Sequence, residues 1–143
     1  MVEYRGPELG PRVVAIRAGQ TLELVAADGG LHDFMTLAAD KAPDEWLNSE
    51  VGPRFVRTYR VPSVFDKIRC AIHPPPEEVY VAVLGHPFFT LSGRDGRFYL
   101  PAGVAPGRYA VTAAHPDLGT VTREVEVGAG QRAGSLDLCL DPQ

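Results

Sequence analysis

The chain has 143 residues, of which 45% are hydrophobic, so it can bury the core of one domain or of two small units. Its 14 basic and 18 acidic residues give a net charge of −4 and form no run of one sign, which argues against nucleic acid or an anionic lipid surface as a partner. No stretch approaches the roughly 20 apolar residues that span a bilayer. The first residues lack the pattern of a signal peptide, so we expect an exported form to begin after cleavage.

Glycine and proline divide the chain into short segments. The 15 Gly and 13 Pro residues separate brief apolar runs, which is typical of many strands and not of long helices. Alternation of apolar and polar residues predicts six strands in the first part of the chain, at residues 12–17, 21–27, 31–37, 55–61, 65–72 and 79–84. Between the third and the fourth strand, Asp40–Gly52 is predicted to form a short helix with Pro43 in its first turn. The predicted fold class is an all-β sandwich.

The sequence pattern changes near Gly85, where we place a boundary between residues 1–84 and residues 85–143. A turn signal follows at Gly93–Gly96. Four further strands are predicted at residues 97–100, 107–114, 121–127 and 135–140. No Gly/Ser-rich linker separates the two parts, so we expect them to pack together.

The two cysteines, Cys70 and Cys139, permit one disulfide, two free thiols, or a metal thiolate and a spare thiol. Cys70 alternates with Ile68 and Ile72 on one face of a predicted strand, whereas Cys139 lies on the side opposite a row of leucines. Alternation therefore predicts that Cys70 faces a core and that Cys139 faces water. This difference disfavours a bridge between them.

The strongest candidate site combines Cys70 and His73, at the end of one predicted strand, with His32 in an earlier strand. A thiolate and two neutral imidazoles are the ligands that copper takes in trigonal electron-transfer sites. The alternative interpretation is structural, because a strand-end cysteine is often a buried small apolar residue and a histidine beside prolines is often exposed.

The order of the segments resembles the cupredoxin family over about residues 11–84. The matching segments are Val13–Leu24, Leu31–Phe34, Asn48, Gly52–Pro62 and Cys70–Pro74. The resemblance implies a Greek-key β-sandwich that binds one copper ion through His32, Cys70 and His73. It also implies single-electron transfer with a partner protein and an extracytoplasmic location, either periplasmic or secreted.

One position departs from the cupredoxin pattern. The axial methionine of the family would fall at Pro76, which has no side-chain ligand atom. The nearest donors are the carboxylates of Glu77 and Glu78 or a backbone carbonyl, and a carboxylate would favour oxidised copper. Met35 is the alternative sulfur donor, but alternation places it on the face opposite His32, where we interpret it as packing.

Three prolines, Pro74–Pro76, stiffen the loop beside His73 and give it an apolar surface. We interpret this surface as a docking patch for a transient redox partner, and a rigid exposed turn is the alternative. The sequence leaves the oligomeric state open.

The second part of the chain carries another resemblance. The runs Asp95–Leu100 and Ala105–Val111 resemble the prealbumin-like regulatory module found beside carboxypeptidases. This implies a structural or adhesive β-module for residues 85–143, with no catalytic residues. His86 and His115 are interpreted as turn residues, although either could complete a site if the second unit folds over the first.

The leading functional hypothesis is a mononuclear copper protein that transfers single electrons. Copper storage or delivery would use the same ligands. A metal-free interaction or structural module on the same scaffold is the alternative from a different class. The sequence has no Ser-His-Asp order, phosphate-binding glycine loop or carboxylate pair, so we do not expect an enzyme.

Overall fold

The structure is a computed structural model that describes residues 2–5, 8–9, 11–42, 45–72, 78–130 and 134–140. Within these residues the chain forms strands and no helix, which confirms the predicted all-β fold class. The described residues thus include no helix of the length and apolarity that crossing a membrane requires. The chain divides into two compact units, Met1–Tyr99 and Leu100–Gln143.

The strands of the first unit form a four-stranded and a five-stranded sheet. In chain order they are β1 (Val2–Arg5), β2 (Glu8–Leu9), β3 (Val13–Arg17), β4 (Thr21–Ala26), β5 (His32–Leu37), β6 (Leu47–Gly52), β7 (Arg54–Thr58), β8 (Ser63–Cys70) and β9 (Glu78–Leu84). The four-stranded sheet has the order β2-β1-β4-β7, and the five-stranded sheet has the order β3-β9-β8-β5-β6.

Apolar side chains from both sheets form one core. In β4 and β9 every second residue is buried, as expected for strands that face a core on one side. The buried core residues are Leu22, Leu24, Ala26, Phe34, Phe55, Tyr59, Ile68, Val79, Val81 and Val83. Each large apolar side chain contributes about 1.5–3 kcal/mol by leaving water. Since this core draws on both sheets, they are the two layers of a β-sandwich.

The strand order brings two predicted ligands to one end of this sandwich. The chain passes from β4 in one sheet to β5 in the other, and later returns through β7 to β8. β5 and β8 are antiparallel neighbours, so the start of β5 and the end of β8 lie together. His32 is the first residue of β5 and Cys70 is the last residue of β8. We call this the His32–Cys70 end.

The helix predicted at Asp40–Gly52 is wrong. Leu47–Gly52 forms β6, which pairs antiparallel with β5, while Pro43 and Asp44 lie outside the described residues. A helix this short is unstable unless it buries an apolar face, and the Leu47 side chain is exposed. Pairing with β5 instead gives the backbone groups of both strands hydrogen-bond partners.

Two other predicted strands are also wrong, because residues 97–100 and 135–140 are irregular in the structure. Before the first segment, the Gly93 amide donates to the Arg97 carbonyl at 2.8 Å, which closes a tight turn. In the second segment the predicted alternation of burial is present, and Cys139 is exposed, but the segment pairs with no described strand.

The second unit contains a long hairpin, formed by the two strands predicted at residues 107–114 and 121–127. Its strands are β10 (Gly107–His115) and β11 (Gly119–Val127), which pair without a register shift. Gly119 has a φ of +79°, a left-handed conformation that favours glycine and lets the chain reverse at this point. The resemblance to a prealbumin-like module stays a prediction.

The division between the units differs from the boundary predicted at Gly85. The contacts of residues 85–99 group this segment with the first unit. Leu91 lines an open groove with Val14 and Leu22, which belong to β3 and β4. The assignment of residues 85–143 to one module therefore stays a prediction.

Candidate metal centre

His32 is held in the interior at the start of β5. Its side chain points to the core face with Phe34, and both residues are 0% exposed. The imidazole stacks on the Phe34 ring with 5.7 Å between centroids, and Phe34 in turn contacts Phe55. Packing on an aromatic ring limits the rotation of the imidazole and so fixes where its nitrogens point.

Cys70 reaches the same point from the neighbouring strand. It pairs with Phe34 across the sheet, and the next residue, Ala71, donates its amide to the Asp33 carbonyl at 2.8 Å. Cys70 is 4% exposed and forms no disulfide with Cys139. Its Sγ lies 3.6 Å from Nδ1 of His32. The alternation that predicted a buried Cys70 is confirmed.

This separation is compatible with one metal ion between the two atoms. Metal–nitrogen and metal–sulfur distances of about 2.0 and 2.3 Å, with an angle of about 110–120°, separate the donor atoms by about 3.5–3.8 Å. The observed 3.6 Å lies in this range. The same distance also allows a thiol S–H to donate to Nδ1, so the pair is stable without a metal.

The other nitrogen of His32 contacts a carboxylate. Nε2 lies 3.0 Å from Oδ1 of Asp28, which precedes the histidine by four positions. Sequence reasoning missed Asp28. The signal was the run Asp28-Gly29-Gly30 just before the predicted strand, a turn sequence whose carboxylate had no assigned role.

None of the other predicted ligands is shown beside His32 and Cys70 in the described part of the chain. His73 and Glu77 lie outside the described residues. Met35 follows the buried Phe34 and lies on the opposite face of the sheet from His32 and Cys70. Among the described residues, no group of three or more His, Cys, Asp or Glu side chains is placed to hold a metal.

Glu78 also lies on that opposite face, because the next residue, Val79, points into the core. Its carboxylate contacts Lys67 Nζ at 3.2 Å and accepts the hydroxyl proton of Tyr80 at 2.9 Å. We therefore leave Met35 and Glu78 out of the proposed site.

Exposed apolar side chains border the His32–Cys70 end. Leu31 directly precedes His32 and is 68% exposed, and Ile72 follows Cys70 by two positions and is 52% exposed. Val51 lies on the edge strand β6, where it is also exposed, and it pairs with Asp33 of β5. We call Leu31, Val51 and Ile72 the apolar rim. Its three side chains expose apolar surface, which water solvates poorly, at positions close to the pair along the chain or across the sheet.

Comparisons with known proteins find similarity only among solved structures. No family model matches the chain, and no curated protein matches it. A reduced variant of amicyanin is 14% identical, covers 58% of this chain and 79% of its own, and has a TM-score of 0.48. An oxidised variant of amicyanin has the same identity and coverage with a TM-score of 0.49, and a Cu(I) variant is 16% identical with a TM-score of 0.46.

The other two histidines in the described part of the chain, His86 and His115, make local contacts. The His115 Nδ1 accepts the amide of Asp117 at 3.1 Å within the turn of the second unit, and His86 stacks on Phe88. Each contact joins residues two positions apart in the sequence.

The end of the sandwich opposite His32 and Cys70 buries a tyrosine hydroxyl and a threonine. Arg57 donates to Oγ1 of the buried Thr36 at 2.7 Å and lies over the ring of Tyr59. The Tyr59 hydroxyl is buried with no hydrogen-bond partner among the described residues. Burial raises the pKa of Tyr59 to about 12, against a smaller lowering by Arg57 and with a further increase from Asp66.

Proposed function

We propose that this chain is a cupredoxin-type copper protein that binds one copper ion and transfers single electrons. The observation that supports the proposal is the 3.6 Å contact between His32 Nδ1 and Cys70 Sγ at one end of the sandwich. Both side chains are almost completely buried, and their residue types are soft and borderline donors that suit copper.

The residues have distinct roles in this proposal. Cys70 is the thiolate ligand and His32 is the imidazole that faces it across the sheet. His73, three positions after Cys70 in the sequence, is the predicted third ligand. Copper would supply the one-electron change between its two oxidation states, while the chain binds the ion and excludes water from it.

The positions of the two described ligands suit electron transfer. Both lie on strands whose backbones are hydrogen-bonded in the same sheet, and His32 is also stacked on Phe34. Ligands on rigid elements move little when the charge of a bound ion changes, which favours fast electron exchange. Glu77 remains a proposed axial donor, and an open axial position is the other form of the proposal.

Two further parts of the proposal concern the surroundings. We propose that a redox partner docks on the apolar rim together with His73 and Pro74–Pro76, because exposed apolar side chains suit a transient contact. We also propose an extracytoplasmic location and a prealbumin-like role for residues 85–143, both from the resemblances in the sequence.

A metal-free module is the second candidate function. It is favoured by the same pair of residues, since a thiol that donates to Nδ1 satisfies both polar groups without an ion. Copper storage or delivery uses the same ligands as electron transfer and differs in the fate of the bound ion.

The first experiment adds Cu(II) to the purified protein and records the visible spectrum. We expect an intense thiolate-to-copper charge-transfer band that is absent from Cys70→Ser. Cys139→Ser is the matched control and should keep the band, because Cys139 is exposed and belongs to the other unit. A wild-type protein without the band would rule out the copper–thiolate site and leave the metal-free module.

Voltammetry of the copper-loaded protein separates electron transfer from copper storage or delivery. A reversible one-electron wave with retained copper in both states supports electron transfer. Release of copper on reduction would instead indicate delivery.

A further inference from the structure

Asp28 contacts His32 through the nitrogen that does not face Cys70. One oxygen, Oδ1, lies 3.0 Å from Nε2 of His32 and also accepts the Gly30 amide at 2.9 Å. The Asp28 side chain is 32% exposed, whereas the histidine is 0% exposed. A single carboxylate therefore joins the turn before β5 to the buried ring.

The turn holds the carboxylate in this place. Asp28 accepts from the amide two residues later, which is the hydrogen bond of an Asx turn. Gly29 has a φ of +68°, a left-handed conformation that favours glycine. A side chain at Gly30 would place its Cβ only 3.3 Å from Oδ1, so the absence of one leaves room for the carboxylate. The contact with His32 is thus prepared by the backbone.

The chemistry of the contact determines where the imidazole proton lies. An ionised carboxylate can only accept hydrogen bonds, so the proton of a neutral imidazole must be on Nε2. Nδ1 then carries the lone pair and points it at Cys70 Sγ, 3.6 Å away. A nitrogen with a free lone pair can bind a metal or accept a thiol proton, and a protonated one can do neither.

We propose that Asp28 is a positioning residue that selects the Nε2–H form of His32, so that Nδ1 presents its lone pair beside Cys70. Its effect on metal binding rests on the proposed copper function, but the position of the proton does not, because it exists in the metal-free protein. Partners of this kind orient metal-binding histidines and increase their basicity as ligands.

The test is a long-range ¹H–¹⁵N correlation spectrum of the metal-free, ¹⁵N-labelled protein at neutral pH, with His32 assigned by comparison with His32→Gln. The ¹⁵N chemical shifts in this spectrum show which of the two ring nitrogens carries the proton. Wild type should show an unprotonated Nδ1 and a protonated Nε2. A wild-type spectrum with a proton on Nδ1 overturns the proposal, and this result needs no variant.

Two variants separate the turn from the ring contact. Asp28→Asn keeps an acceptor oxygen for both Gly30 and His32, so it should retain the wild-type form. Asp28→Ser keeps an acceptor for the Gly30 amide, but its hydroxyl is one bond shorter than the carboxylate and should not reach the ring. We expect this variant to gain a population with the proton on Nδ1. An unchanged His32 spectrum in folded Asp28→Ser overturns the proposal.

Copper binding provides the second readout. Asp28→Ser should weaken Cu(II) affinity on the order of 10–100-fold, with Asp28→Asn closer to wild type. Equal affinity in all three proteins overturns the role in metal binding. If wild type shows the expected proton position but no thiolate-to-copper band, the copper function fails and the positioning of His32 by Asp28 stands.

Discussion

The two ends of the β-sandwich in the first unit both bury polar side chains, but the arrangement of these side chains differs. At the His32–Cys70 end, the imidazole lies between a carboxylate and a thiol, at 3.0 Å and 3.6 Å. At the opposite end, the Tyr59 hydroxyl is buried without a partner in the described part of the chain, and Arg57 reaches inward to bond a threonine. One end brings a thiol and an imidazole, which can both bind a metal, to one point, and the other does not.

This difference shows which property marks a candidate site. A buried polar atom without a partner costs about 1–3 kcal/mol, so burial alone is a matter of stability. Tyr59 illustrates this, since its main electrostatic property is a pKa raised by desolvation. At the other end, Nδ1 and Sγ face each other at a distance that one ion can bridge. The convergence of donor atoms, and not their burial, distinguishes the two ends.

The largest effect should come from Phe34→Ala, which changes the core and the site together. Phe34 is 0% exposed and stacks on His32. Truncation should reduce the free energy of unfolding by about 3–5 kcal/mol, measured by urea denaturation. It should also free the imidazole and weaken Cu(II) binding, measured by titration in the visible spectrum.

Phe55→Ala is the matched control for this prediction. Phe55 is 2% exposed and packs on Phe34 from the other sheet. It should lose a similar amount of stability and keep the copper affinity of wild type. If both variants lose affinity equally, the stacking of Phe34 on His32 has no specific role in the site.

Tyr59→Phe should have the next largest effect, and only in alkali. The pKa of Tyr59 is about 12 in the folded protein and 10.0 for an ordinary tyrosine. Ionisation of Tyr59 therefore does not affect the free energy of unfolding below pH 10. As the pH rises from 10 to 12, ionisation in the unfolded state lowers the free energy of unfolding. Denaturation at several pH values should show wild type losing about 2–3 kcal/mol more than the variant over this interval.

At pH 7 Tyr59→Phe should be at least as stable as wild type, because the hydroxyl has no described partner to lose. Tyr99→Phe is the control, since its side chain is 81% exposed. It should follow the wild-type pH dependence. A Tyr59→Phe variant that loses stability in alkali as wild type does would show that another group causes the loss.

Sequence patterns predicted the strands that face the core and failed where burial is not one-sided. β4 and β9 alternate in burial, and both were found from their period of two. β6 was missed because it is an edge strand whose apolar residues Leu47 and Val51 are 65% and 67% exposed. Its conformation depends on pairing with β5, a contact between distant residues that local pattern does not contain.

The candidate site was predictable to a similar extent. The order of segments pointed to His32 and Cys70, and the structure places them in contact. Alternation was sufficient to place Met35 on the outer face, and the burial of Val79 shows that it could have placed Glu78 there too. Asp28 was not predictable, because its contact depends on a turn in which Gly29 has a positive φ.

Arg57→Met should give the smallest effect at the end opposite the site. Arg57 donates from its guanidinium to the buried Thr36, a charge-assisted bond between the two sheets. Methionine keeps the apolar stem and removes the donor, so we expect a loss of about 1–2 kcal/mol in the free energy of unfolding.

Arg54→Met on the same strand is the control. Arg54 contacts Glu23 at 2.8 Å, but it is 61% exposed, and such surface pairs contribute about 0.5 kcal/mol or less. Equal losses in the two variants would mean that the bond to Thr36 adds nothing beyond a surface contact. Neither variant should change copper binding, since both residues contact groups away from His32 and Cys70. A loss of copper affinity in Arg57→Met alone would show that the two ends of the sandwich are coupled through β5.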